Sequence, residues 1–154
     1  EQPGQAAPGS ELAVSDGSDE ERRKQVIGFL NTYNSAHNEY LRQVAESGRW
    51  GDPLDVYLLD GQGSLAGGLV GNTLRTSLDV RALWIEEKLR GQGWGRRLLE
   101  TAEAEARRRG CSRAQTHIHS FQAPVFWRKL GYRSNGEILD LPPGHTFSWL
   151  VRDL

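Results

Sequence analysis

Methionine is absent from the 154 residues and cysteine occurs once, at position 111. A lone thiol excludes an intrachain disulfide, and a thiol without a partner suits a reducing compartment. Cys111 is therefore expected to be a small buried or half-buried filler. The missing initiator leads to the expectation of a trimmed start. An excess of either charge is also lacking: 19 basic side chains stand against 20 acidic ones, for a net charge of −1, so no overall field favours nucleic acid or an anionic membrane. Long apolar runs are missing too. None reaches the roughly 18 residues of a membrane span, and the first residues lack the charged-then-apolar layout of a signal peptide. These absences lead to the expectation of a cytoplasmic protein with no membrane or nucleic-acid partner and no metal. Lysine is scarce, at positions 24, 88 and 129, and the resulting dominance of arginine carries no function by itself.

The length suits one domain that closes its core without metal or disulfide. Residues 1–10, made largely of Pro, Gly, Gln and Ala without periodicity, are expected to be a disordered tail, which leaves 11–154 as a single domain. No internal repeat is found. Glu11 to Ser15 alternates weakly, as a short first strand does. Ser18 or Asp19 can cap a helix with Val26, Ile27, Leu30 and Tyr33 on one side, and a second helix runs from about Ser35 to Glu46 with Gly48 as its stop. A hairpin follows, with Asp55 to Leu59 and Ser64 to Val70 joined through Asp60-Gly61-Gln62-Gly63. Leu78 to Ile85 is a further strand. It leads into Arg90-Gly91-Gln92-Gly93-Trp94-Gly95 and a helix whose stripe is Leu98, Leu99, Ala102 and Ala106, with Glu100, Glu103, Arg107 and Arg108 on its wet side. Ala114 to His119 is the next strand and Gln122 to Lys129 a short helix. An antiparallel pair turned at Pro142-Pro143-Gly144 closes the chain.

The order strand, glycine-rich segment, long helix carries chemistry. A helix start leaves backbone N–H groups without intrahelical partners and a partial positive charge, so an anion can bind there. Glycines 91, 93 and 95 remove Cβ atoms that would hold a phosphate away, and Arg90 adds a charge. Pyrophosphate is the natural guest. A dinucleotide fingerprint needs Gly-x-Gly-x-x-Gly, whereas the spacing here is Gly-x-Gly-x-Gly. A Walker loop needs Gly-Lys-Ser or Gly-Lys-Thr, whereas Arg96-Arg97 follows Gly95.

Arg90 to Gly95 resembles the (Arg/Gln)-x-x-Gly-x-(Gly/Ala) acyl-CoA loop of the GNAT N-acyltransferase superfamily. Leu83-Trp84-Ile85-Glu86-Glu87 is similar to the end of the strand that precedes that loop, and Phe126-Trp127-Arg128-Lys129-Leu130-Gly131-Tyr132 to the family's Phe-Tyr-x-Lys-x-Gly-Phe ending. The likeness spans about Asp55 to Tyr132. It implies an α/β fold of the α+β type: a mixed, mostly antiparallel sheet of six to seven strands, splayed between the fourth and fifth and flanked by about four helices. It further implies acetyl-CoA or another acyl-CoA as co-substrate, with pantetheine in the splay against free backbone groups near Leu83 and Ile85. The candidate CoA-binding residues are Leu83, Trp84, Ile85, Arg90, Gly91, Gln92, Gly93, Trp94, Gly95, Arg96, Phe121, Phe126, Trp127 and Lys129. Direct attack of an amine on the thioester, in a ternary complex and without an acyl-enzyme, is the implied reaction.

An amine must lose a proton before it attacks, so a base is useful. Asp79 is one candidate: it lies six residues before Ile85, which strict alternation places on the same face. A solvated carboxylate, or one paired with Arg81, is the plain alternative. His117 and His119 share a face of the next strand and suit the same duty as neutral imidazoles. Trp127 stands where the family has a tyrosine that protonates the departing thiolate, and an indole N–H donates without acting as an acid. Phe121 stands where many relatives have asparagine. The acceptor is expected to be a small-molecule primary amine, held by the first two helices, the loop around Trp50 and the last strands near His145 to Trp149. A homodimer is compatible with the resemblance. Two other readings stay open: a different acyl-CoA reaction, such as decarboxylation or transfer of a longer chain, and a CoA-binding module without turnover.

Overall fold

The computed structural model describes residues 10–154, which fall into two compact units divided between Gly48 and Arg49. The tail expected over 1–10 lies outside the described residues except for Ser10.

The first unit holds two helices. Helix α1 spans Glu20–His37, and Asp19 caps it by accepting the Arg22 N–H at 3.0 Å. Helix α2 spans Glu39–Ser47. The break falls at Asn38, three residues later than the second helix was expected to begin, because the Asn38 side chain accepts the Leu41 N–H at 3.0 Å and starts a new helix. Gly48, at φ 64°, ends it. The strand expected over Glu11 to Ser15 does not form. Just beyond it the Ser15 hydroxyl and Asp16 carboxylate take the Gly17 and Ser18 N–H groups at 3.2 and 3.0 Å, a local turn that competes with strand pairing. No helix among the described residues is long and apolar enough to cross a membrane.

The second unit is a six-stranded sheet. Strands β1 (Asp52–Leu59), β2 (Leu65–Leu74) and β3 (Ser77–Ile85) form an antiparallel meander, and a 3-10 turn (Glu87–Leu89) leads into helix α3 (Trp94–Arg108). Strand β4 (Arg113–His119), helix α4 (Pro124–Lys129) and strands β5 (Arg133–Leu139) and β6 (Thr146–Asp153) complete it. The strand order is β1-β2-β3-β4-β6-β5, and only β3 and β4 are parallel. That mixed, mostly antiparallel sheet with four helices is the fold the resemblance implied. Helix α3 lays Leu98, Leu99, Ala102 and Ala106 against Leu54, Leu69, Leu78 and Val80, the centre of the core. Cys111 is buried there as well, as expected of a filler.

Glu103 departs from expectation. It is not on the wet side of α3: it is 1% exposed, next to Ala102 on the buried stripe. Tyr132 donates its hydroxyl to Glu103 at 3.0 Å, and Arg152 on β6 donates to both carboxylate oxygens at 3.1 and 3.0 Å. A carboxylate with these partners can be buried where an unpaired one could not.

The splay lies one strand earlier in chain order than the family count implied, because the short first strand is missing. Strands β3 and β4 pair only from Ser77/Arg113 to Val80/Thr116 and then part, although β3 continues to Ile85 and β4 to His119. A bulge accompanies the parting. Gly71 faces Val80 and Val70 faces Ala82, so Arg81 has no partner on β2.

Candidate active site around the splayed strands

The glycine-rich segment opens α3 without a side-chain cap: Gly93 is the N-cap residue, at φ 84°, and Gly91 also lies in the left-handed region, at φ 74°. A Cβ built on either would meet nothing within 4 Å, so the space over both is open. The N–H groups from Gly91 to Arg96 find no acceptor among the described residues. Clustered outward donors at a helix start are what an anion needs. Gly95 serves a different purpose. Its Cβ would come within 3.2 Å of the Phe126 ring, so this glycine lets α4 close on α3. Gln92 donates its side-chain N–H to the Lys88 carbonyl at 3.0 Å, bracing the loop. Arg97 stacks its guanidinium 4.3 Å above the Trp94 ring, and Arg96 is exposed beside it.

Arg90 is engaged locally. Its Nε donates to the Ile85 carbonyl at 3.0 Å, which takes one of that oxygen's two lone pairs. Leu83 and Ile85 pack their side chains on the core. Trp84 points to the other face and is 50% exposed.

The bulge at Arg81 also overturns the placement of Asp79 on one face with Ile85. One extra residue shifts the parity of everything beyond it. Leu78 and Val80 share the core face with Leu83 and Ile85, whereas Asp79 sits opposite, on the face of Ala82 and Trp84. Registers carry that face across the sheet: Asp79 is level with Gln115, His117 with Trp149, and His119 with Phe147. All three candidate bases therefore share one face. Asp79 is half-buried and its side chain makes no hydrogen bond or ion pair among the described residues, not even to Arg81. The expected alternative pairing is thus absent.

The histidines differ in what holds them. His117 stacks between Phe147 (5.4 Å between ring centroids, 16° between planes) and Trp149 (6.0 Å, 13°). His119 Nδ1 lies 3.3 Å from the Leu141 carbonyl, which can only accept, so Nδ1 is the donor and, in the neutral ring, Nε2 presents a lone pair. The Thr146 N–H donates to the Ser120 hydroxyl, whose Oγ also lies 3.2 Å from His145 Nδ1. Sequence reasoning placed His145 only within an acceptor region and missed Ser120 and Gln115, which belong to no motif.

Phe121 is 60% exposed and stacks on His119 at 5.3 Å. Phe126 packs on the core's edge and Lys129 is exposed. Trp127 is 5% exposed and wedged edge-on between Phe126 (5.4 Å) and Tyr132 (5.0 Å). Its indole N–H has no partner among the described residues. Tyr132 is no substitute acid: its hydroxyl is committed to Glu103, and burial together with that carboxylate pushes its pKa well above the usual range.

The sheet and the loop that opens α3 lie in a segment that known proteins share. The family described as "Acetyltransferase (GNAT) domain" matches residues 52–134. A blasticidin-S acetyltransferase of Streptomyces morookaense is 44% identical over 106 residues, 66% of this chain and 78% of that protein. An acetyltransferase of Agrobacterium fabrum is 34% identical over 141 residues, 92% of this chain and 97% of its own. In structure, an acetyltransferase from Bacillus cereus aligns with a TM-score of 0.76 at 26% identity, covering 93% of this chain and 98% of the other. The matched segment runs from the first strand of the sheet through the donor loop to the start of β5, and with relatives that align over most of their length it establishes that this chain is an acetyltransferase of the GNAT family.

Proposed function

We propose that this protein transfers an acetyl or other short acyl group from acyl-CoA to the primary amine of a small molecule. The observation that carries the reading is the uncapped start of α3. Its free N–H groups, from Gly91 to Arg96, would hold the pyrophosphate of the co-substrate. The unpaired ends of β3 and β4 would flank the pantetheine, with Leu83 supplying backbone groups and Trp84, Phe121, Phe126 and Lys129 lying along its path. Solved neighbours named as a streptothricin acetyltransferase with acetyl-CoA and as an N-acetyltransferase with CoA share the fold and support acyl-CoA as the co-substrate.

In the proposed reaction the amine nitrogen attacks the thioester carbonyl, the N–C bond forms, the C–S bond breaks and CoA leaves as thiolate. The ammonium must first give up a proton. His119 is the best-oriented base, because Leu141 holds its proton on Nδ1 and leaves Nε2 to receive another. Asp79 and His117 share its face: Asp79 would hold the ammonium and His117 would line its approach. Trp127 would offer its indole N–H to the departing sulfur as a donor only, and water would complete the protonation. A thiol of pKa about 8.5 is a good enough leaving group for this. The blasticidin-S relative supports a small antibiotic-type amine as acceptor.

Thermal stabilisation tests the donor, and thiol release with an amine panel tests the transfer. A melting-point rise with acetyl-CoA and CoA but not with NADH is expected, with thiol released only when an amine is present. No shift with any CoA overturns the reading; thiol release without amine points to a different acyl-CoA reaction.

A further inference from the structure

We propose that the amine acceptor carries a planar heteroaromatic ring, which stacks on the ring-lined face of β4 and β6 while its ammonium approaches Asp79. The proposal rests on the acyl-transfer reading and deepens it by naming the substrate class.

Aromatic side chains in a domain of this size normally go to the core, as Trp127 and Tyr132 do. On the opposite face an unbroken run of rings is left partly open to solvent. Trp149, 38% exposed, is followed by His117, Phe147, His119, Phe121 and His145, with successive centroids 6.0, 5.4, 5.2, 5.3 and 4.9 Å apart. Trp149, His117 and Phe147 lie within 13° and 16° of parallel, and His119 and Phe121 within 12°. Registered cross-strand pairs hold the rings upright on the sheet, so little ordering is required when another flat ring joins them.

Polar groups along the same face select a heteroaromatic over a hydrocarbon. The Gln115 carbonyl accepts the Trp149 indole N–H at 3.2 Å, which leaves the Gln115 amide N–H groups as donors. A ring nitrogen with a lone pair on its edge takes one of them; a benzene ring offers no such acceptor. The charge fits as well. Asp79 is a half-buried carboxylate without a partner, and an ammonium beside it provides one.

Three amines of similar size are compared with acetyl-CoA as donor: 4-(2-aminoethyl)pyridine, 2-phenylethylamine and 2-cyclohexylethylamine. The order pyridine, phenyl, cyclohexyl is expected in kcat/KM, with about tenfold between first and last, carried by KM. Trp149→Leu should reduce that ratio to within about threefold and Trp149→Phe should preserve it; melting curves establish that each variant is folded. Ligand-observed NMR of the same amines on the CoA-bound protein reads binding apart from turnover. Turnover without ring preference overturns the proposal and leaves the transfer reading standing. Ring-selective, Trp149-dependent binding without turnover supports the platform and removes the transferase. Neither turnover nor selective binding sinks both.

Discussion

Replacing Glu103 with leucine should be among the most destabilising single changes on α3, and the size of the effect follows from its partners. The carboxylate is 1% exposed and accepts one hydrogen bond from Tyr132 and two from Arg152. Removing one member of a fully buried ion pair costs about 3–5 kcal/mol, because the other charge is left uncompensated. Arg152 keeps 30% of its side chain in solvent, which lowers its share, whereas the hydroxyl of Tyr132, a residue 2% exposed, would be stranded. Together these give about 2–3 kcal/mol for Glu103→Leu. For a chain of this length that is a fall of roughly 5–10 °C in melting temperature. Glu103→Gln retains an acceptor for Tyr132 and should lose about half as much. The triple variant Glu103→Leu, Tyr132→Phe, Arg152→Met removes the stranded partners and should recover most of the loss. Denaturant titration with a two-state fit reads all three. A Glu103→Leu protein within about 0.5 kcal/mol of the parent, the usual range for a surface substitution, would refute the argument that the cluster is desolvated.

Gly93→Ala forces a side chain into the left-handed region at φ 84°, with a loss of about 1–2 kcal/mol in stability and a smaller melting-point rise with acetyl-CoA in the same thermal assay. Gly95→Val drives branched carbons into Phe126, whose ring lies 3.2 Å from the first of them, and should lose about 1–3 kcal/mol by denaturant titration. Burial raises the Cys111 thiol above its ordinary value of 9.0, and burial with the Glu103 carboxylate raises Tyr132 above 10.0. The folded chain then keeps protons that the unfolded chain releases, so stability is intact below about pH 9 and falls as pH rises through and beyond that point. Urea midpoints measured from pH 8 to 11 should show that decline, and Tyr132→Phe should make it shallower.

Periodicity makes α3 legible in the sequence, because Leu98, Leu99, Ala102 and Ala106 recur at helical spacing and the glycines before them suit only a turn. Glu103 was misplaced for the same reason. A charged residue beside the stripe is ordinarily at the wet edge, and nothing local announces that Tyr132 and Arg152, distant in sequence, meet it inside. The weak alternation of Glu11 to Ser15 suggests a strand, but alternation over so few residues does not outweigh the serine and aspartate side chains that turn the chain just beyond it.

The candidate donor loop at α3 could be found from its spacing because a backbone site leaves a signature in glycine. The proposed acceptor face could not, because it is assembled by register. Alternation assigns faces correctly only while a strand keeps its period, and the extra residue at Arg81 reverses the assignment for all that follows in β3. Without the bulge, Asp79 would share a face with Ile85; with it, Asp79 joins Trp84, His117 and His119, and the core keeps Leu83 and Ile85. The same residue marks where β3 and β4 part. One irregularity therefore accompanies the opening of the gap and gathers the candidate bases on one side of it. Deleting Arg81 should remove the bulge and make the pairing with β2 continuous while Leu83 and Ile85 stay on the core face, so the protein should keep most of its stability but lose the parting of β3 from β4 and, with it, acetyl-CoA binding. Arg81→Ala, which keeps the residue count, should lose neither.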